Sequence, residues 1–238
     1  MKKLVLVVLI AFILFGCATT TTRVDNVMLS NDSPVMIIVA GKDPENGWDK
    51  LLLNVFPRAI MVTPEVSSSL EDGAEDLIRQ VREAGVISNS WRVIAHSWGA
   101  KLTEQVVAGY PGLISKAVLI ARPGFEEFRW MPSFVSALLR PDEDRSGLTK
   151  YFVIAGIDPK APARWWMMPN ENGVVQSDGV VSVKEATTLT GGRKAEEILV
   201  ITGEEGEHTR ILSSEIVLSQ AKAWLETETL VATVVTRD

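Results

Sequence analysis

Val93-Ile94-Ala95-His96-Ser97-Trp98-Gly99-Ala100 is an apolar run that breaks around a serine, with small residues two positions to either side of it. The pattern predicts a short strand over residues 91–95, a sharp turn at Ser97 and a helix over residues 100–108 that stops near Gly109 and Pro111. A serine hydroxyl is a poor nucleophile unless it is held clear of the backbone and beside a base. A strained strand-to-helix turn achieves this when its flanking residues let neighbouring backbone come close. Gly99 has no Cβ to obstruct that approach. Ala95 stands where glycine is usual and is the next smallest residue. The plainer reading is a strand-turn-helix whose serine is buried or caps the helix.

Outward from this turn, short apolar runs alternate with amphipathic stretches. Residues 35–40 form a continuous apolar run between Pro34 and Gly41, which reads as a buried strand. Residues 59–62 follow Pro57 as the next strand. Ser68-Ser69-Leu70-Glu71 fits a capping box, after which Leu70, Ala74, Leu77, Ile78, Val81 and Ala84 mark one helical face that Gly85 ends. Further strands are expected at residues 117–121, 151–155 and 198–202, and a last helix carries Leu212, Ile216, Val217, Ala221, Trp224 and Leu225. The alternation implies an α/β fold with a mostly parallel central sheet covered by helices on both faces. Right-handed crossovers gather the strand carboxyl ends along one edge of such a sheet.

Ser97, Gly41 and Lys42, Asp158, Asp178 and His208 all follow strands, and so fall on that edge. His208 is the expected base, because the chain has two histidines and the other, His96, precedes the nucleophile and turns away from it. The neighbours Gly206, Glu207 and Thr209 suggest a loop running into a helix, with an exposed imidazole suited to proton transfer near neutral pH. Two carboxylates compete as the acid. Asp178 lies in Ser177-Asp178-Gly179-Val180-Val181, where the glycine permits a sharp turn, and it is favoured. Asp158, in Gly156-Ile157-Asp158-Pro159, is the alternative, with a carboxylate equally suited to a turn with its own backbone. Oxyanion donors are expected from the Trp98 amide and from the Lys42 amide after the first strand.

With those residues in place, the chain resembles the alpha/beta-hydrolase superfamily, and within it bacterial lipases and inositol-deacylase-like esterases. The resemblance rests on Ala95-His96-Ser97-Trp98-Gly99, on Ser177-Asp178-Gly179-Val180-Val181 and on His208-Thr209, and spans roughly residues 35–225. It implies Ser97 as nucleophile, Asp178 as acid and His208 as base. Ala40-Gly41 stands where many lipases have His-Gly, a departure in the oxyanion loop.

The amino terminus predicts the compartment. Lys2 and Lys3 precede an apolar stretch over residues 4–15, and Leu14-Phe15-Gly16-Cys17 closes it. The run is short for a spanning helix and resembles a bacterial lipoprotein signal. That likeness implies cleavage after residue 16, lipidation of Cys17 and, with Ala18 following, an outer-membrane anchor; the alternative is an uncleaved signal anchor with the domain still outside the cytoplasm. Residues 17–32 then form a threonine-rich tether, and residues 33–238 one hydrolase domain. Cys17 is the only cysteine, so the chain forms no internal disulfide.

The net charge of −6, or −8 without Lys2 and Lys3, and the lack of a basic cluster argue against nucleic acid as a partner. Two histidines and one cysteine cannot supply a zinc cluster, and neither a metal nor another cofactor is expected. Residues 122–150 and 160–174 are insertions rich in aromatic and flexible apolar residues, including Trp130, Phe134, Trp165 and Met167. They suggest a small cap with an acyl-binding groove, or else a cover for the main core. The expected activity is hydrolysis of carboxylic esters with an apolar acyl group. The rival is a non-catalytic envelope lipoprotein that binds a protein or glycan on the same scaffold.

Overall fold

The computed structural model describes residues 34–42, 50–65, 69–124, 148–162, 169–190 and 193–227. Its centre is a six-stranded sheet in the order β2-β1-β3-β4-β5-β6, made of β1 (Val35–Val39), β2 (Ile60–Val62), β3 (Trp91–His96), β4 (Ile114–Ile120), β5 (Lys150–Ile157) and β6 (Glu197–Thr202). Every pairing is parallel. The all-parallel sheet follows from the apolar runs: strands such as Ile37-Ile38-Val39 and Val118-Leu119-Ile120 are fully enclosed, so both faces need a covering layer.

Side-chain alternation sorts that burial into two cores. Val39, Val93, Ala95, Leu119 and Val153 meet α2 (Leu70–Glu83) and α3 (Trp98–Gly109) through Leu77, Val81, Leu102 and Val106. Ile38, Ile94, Ile120 and Ile154 face the other way, onto α1 (Leu51–Val55) and α5 (Glu215–Glu226) through Leu52, Val217, Ala221 and Leu225. The α2 cap differs by one residue from the expected box. Ser69, not Ser68, is the N-cap, and its hydroxyl accepts from the Asp72 amide at 3.0 Å. In α5 the expected apolar stripe is narrower, because Ile216 is exposed and Leu212 belongs to the preceding 3₁₀ turn, Arg210–Ser213. Lys116 closes the far end of α5 by donating from Nζ to the Trp224 and Thr227 carbonyls.

Two short helices have no counterpart in the sequence reading. One is α1. The other is α4 (Val183–Thr187), which a complete capping box between Ser182 and Glu185 starts. The signal peptide, the tether, Cys17, most of the first proposed cap insertion and residues 163–168 of the second lie outside the described residues. Only Arg122, Pro123, Gly124 and residues 148–150 of the first insertion, and residues 160–162 and 169–174 of the second, are described. No helix among the described residues is long and apolar enough to cross a membrane.

The strand order fixes where a site can form. From β1 the chain goes to β2 on one side, while β3 pairs with β1 on the other. The connections leaving the carboxyl ends of β1 and β3 therefore diverge, and an open parallel sheet has its crevice at such a point. Gly41 follows β1 and Ser97 follows β3 at that position.

Candidate active site

Ser97 ends the β3 ladder with its amide donating to the Ile120 carbonyl at 2.9 Å. Its backbone then turns to φ 50°, ψ −122°, a conformation that costs an L-residue on the order of 1–3 kcal/mol. The turn is possible because α3 begins at once and packs against β1. A Cβ on Gly99 would lie 2.4 Å from the Ala40 carbonyl oxygen and 2.6 Å from that of Val39. Glycine is therefore required there on contact grounds alone. Ala95 meets no such limit and is buried in the core that faces α2 and α3.

Asp178 and His208 reach Ser97 from beyond β5 and β6. The Asp178 carboxylate is 1% exposed. Its Oδ1 accepts from the Val180 and Val181 amides at 2.8 and 2.6 Å, which leaves Oδ2 for the His208 Nδ1 at 2.7 Å. A carboxylate only accepts, so Nδ1 carries the proton. The other ring nitrogen, Nε2, lies 2.9 Å from Ser97 Oγ and is thereby left to accept from the hydroxyl. Backbone packing sets these distances: Gly206 bears directly on the end of β5, and a Cβ on Gly156 would lie 2.1 Å from the Gly206 carbonyl oxygen and 3.0 Å from Asp178 Cβ. After the histidine, Glu207 Oε2 accepts from the Thr209 and Arg210 amides and shapes the following 3₁₀ turn.

Ser97, Asp178 and His208 thus form one continuous hydrogen-bonded chain, with the serine half-buried at its open end. The arrangement can pass the serine proton to the imidazole while the carboxylate holds the ring's tautomer and orientation. One expectation needs correcting: His208 is buried, not exposed, with Gly206 of the preceding 3₁₀ turn packed against the end of β5. Asp158 stands apart. Its Oδ1 accepts from the Lys160 amide at 2.9 Å in a turn of its own.

The expected oxyanion donors lie next to the serine in different ways. Trp98 is the first residue of α3, so its amide is one of the helix's unpaired N–H groups. Gly41 approaches closely, since a Cβ there would be 3.3 Å from Ser97 Cβ, and Lys42 follows it with an exposed side chain.

The structure gives contacts to a residue the sequence reading set aside and to a cluster it did not find. His96 is buried and its Nε2 lies 3.0 Å from the His208 carbonyl oxygen. The cluster is ionic and buried: Glu104 Oε2 meets Arg122 at 3.0 Å and Lys101 at 3.4 Å, the Thr190 amide donates to Oε1, and Lys101 Nζ donates to Thr190 Oγ1 at 3.0 Å. Burial pushes the Glu104 carboxyl up, but Arg122, Lys101, the Thr190 amide and Arg193 together outweigh it and hold the group below its ordinary value. Arg122 also donates to the Pro123, Glu185 and Thr188 carbonyls, tying the end of β4 to α4. No grouping of three or more metal-ligating side chains occurs among the described residues.

The fold recurs in solved structures. The fold is that of the alpha/beta hydrolases. Est1E from Butyrivibrio proteoclasticus aligns with a TM-score of 0.57 at 11% identity, over 82% of this chain and 88% of Est1E. A membrane phospholipase A described as a bacterial virulence factor aligns at 0.51 and 13% identity, over 82% of this chain and 79% of its own. A loop variant of the haloalkane dehalogenase DbeA from Bradyrhizobium elkanii also aligns at 0.51 and 13%, over 82% and 90%. No family model matches the sequence, and neither does any curated protein. Alpha/beta-hydrolase structures thus carry different chemistries at similar likeness to this chain, so reaction type has to be argued from the site.

Proposed function

We propose that the protein is a serine esterase that cleaves carboxylic esters with an apolar acyl group through an acyl-enzyme. The observation that carries this reading is the 2.9 Å contact between Ser97 Oγ and His208 Nε2, in line with the 2.7 Å contact from Nδ1 to Asp178. In the reaction, His208 takes the Ser97 proton as Oγ attacks the ester carbonyl, and the resulting imidazolium is stabilised by Asp178. The Trp98 and Lys42 amides hold the oxyanion. The ester C–O bond then breaks, with His208 returning the proton to the leaving alcohol. Water, deprotonated by the same imidazole, attacks the acyl-Ser97 carbonyl; the C–Oγ bond breaks as His208 returns the proton to Ser97, and the acid is released.

The apolar acyl preference rests on the composition of the two insertions. The two insertions, rich in aromatic and methionine residues, follow the carboxyl ends of β4 and β5, on the sheet edge that carries Ser97. We also propose that Cys17 is lipidated after loss of residues 1–16, anchoring the enzyme to the outer membrane on a polar tether, with lipid or small esters as its substrates. Intact-mass measurement of the membrane-extracted protein tests the anchor, and an unmodified Met1 on the mature chain overturns it.

The deciding experiment is labelling of the protein with a fluorophosphonate, followed by turnover of nitrophenyl esters of increasing acyl length. Labelling confined to Ser97 and a rate that rises with chain length are expected. Absence of labelling in folded protein overturns the esterase and leaves a tethered binding protein on a hydrolase scaffold.

A further inference from the structure

We infer that His96 is a positioning residue that latches the His208 main chain to the end of β3. The inference rests on the Ser97–His208 reading above. His208 lies between two 3₁₀ turns, outside any strand ladder, so its place over Ser97 has to be set by specific contacts. Among the described residues, two contacts act on its backbone. Its amide donates to the Asp178 carbonyl at 3.0 Å, and its carbonyl lies 3.0 Å from His96 Nε2. A carbonyl only accepts, so His96 carries its proton on Nε2 and donates it. The base is thus tied through its main chain to the acid's residue on one side and to the nucleophile's neighbour on the other.

Strand alternation explains why position 96 supplies this contact. Ile94 faces the core beneath α5 and Ala95 faces α3, so His96 returns to the α5 side. Ile211 and Leu212, in the turn after His208, are buried on that same side. The His96 ring is 4% exposed and lies 5.0 Å from the His208 ring, tilted by 45°. A Cβ on Gly41 would come within 3.1 Å of its Nδ1, so the end of β1 limits movement of the imidazole away from His208. An apolar side chain could fill this space but would leave the His208 carbonyl without its donor.

The test compares His96→Gln, whose amide reaches about as far as Nε2, with His96→Met, which matches that length and donates nothing. In the full chain, with a nitrophenyl ester as probe, His96→Met is expected to lower kcat by about 10²-fold, the scale of a 1 Å misplacement, with KM little changed. His96→Gln should recover most of that loss. Equal impairment in both variants, or full activity in His96→Met, overturns the inference. A second readout needs no substrate. The untagged chain contains two histidines, so ¹⁵N-histidine labelling resolves both rings. The His208 Nδ1 proton should exchange with water faster in His96→Met than in wild type or His96→Gln. If wild type turns over no ester yet shows this pattern, the esterase reading fails while the latch stands. If neither variant folds, the wild-type spectrum alone decides: His96 protonated on Nε2 supports the latch, and a bare Nε2 overturns it.

Discussion

Two buried polar networks meet at α3, and they are built on opposite plans. The chain from Ser97 through His208 to Asp178 is unbranched at the imidazole, contains one formal charge when the imidazole is neutral, and opens at a half-buried hydroxyl. One turn further along the helix, Lys101 and Glu104 join Arg122 and Thr190 in a cluster whose charged members are all at least 97% buried. The first network has a donor and an acceptor that can exchange a proton, and a free end at which a reactant can arrive. The second matches fixed charges on all sides, so it can hold backbone segments in place but has nothing to transfer. Both engage the segment after β5, through Asp178 in one case and Glu185, Thr188 and Thr190 in the other. The fixed network thus supports the region on which the acid is carried.

The largest effects that separate the two belong to the open network. Ser97→Ala should abolish fluorophosphonate labelling and lower ester turnover by at least about 10⁴-fold, while the thermal midpoint stays close to wild type. Measurable turnover at wild-type rates in that variant would remove the nucleophile from the scheme. Asp178→Asn should lower kcat by roughly 10⁴-fold, because an amide in place of Oδ2 favours the wrong imidazole tautomer. Asp158→Asn, which alters only a surface turn, should stay within about twofold of wild type. The reverse ranking in a side-by-side kcat measurement would assign the acid to Asp158.

Much of the open network was legible in the sequence, and little of the closed one was. Ser97 announces itself through local pattern, since an apolar run, a small residue on each side and a helix start are all short-range features. Asp178 and His208 follow from strand order and from the scarcity of histidines. The burial of His208 does not, because it depends on Gly206 seating against β5, a contact between residues some fifty positions apart. Lys101 and Glu104 read as ordinary charges on a helix, and only the folded chain brings Arg122 and Thr190 over them. The Ser182–Glu185 box was a signal within reach, but a five-residue helix carries too little apolar periodicity to stand out beside the Asp-Gly turn before it. His96 was discounted because residues next to an elbow serine turn away from it. It does turn away, and in doing so it meets the backbone of His208.

The closed network should reveal itself in stability rather than in rate. Glu104 is the counter-ion of two buried cations, Lys101 and Arg122. Glu104→Gln leaves both uncompensated and should cost about 3–5 kcal/mol in denaturant unfolding. Lys101→Met gives up the 3.4 Å contact to Glu104 and the 3.0 Å hydrogen bond to Thr190 Oγ1 but leaves Arg122 facing the carboxylate, so its cost should be smaller, about 1–3 kcal/mol. In both variants the fraction that remains folded should label at Ser97 at nearly the wild-type rate. A fall in labelling that exceeds the loss of folded protein would show that the two networks are coupled in function as well as in space.

The smallest effect is a slope. The folded-state carboxyl of Glu104 titrates below its ordinary value of 4.5, so at pH values just under 4.5 the unfolded chain binds this proton and the folded chain does not. Stability therefore rises with pH across that interval. The contribution of Glu104 is complete above its unfolded value and is lost as pH falls through the folded one. Glu104→Gln, which has no proton to bind, should show a shallower decline in unfolding free energy on acidification below pH 4.5, by up to about one proton at the steepest point. Wild type and variant declining in parallel would mean that the carboxyl is not held in its charged form by Arg122 and Lys101. The cluster would then be organised by hydrogen bonds from the Thr190 amide and the Arg122 guanidinium rather than by opposed charges.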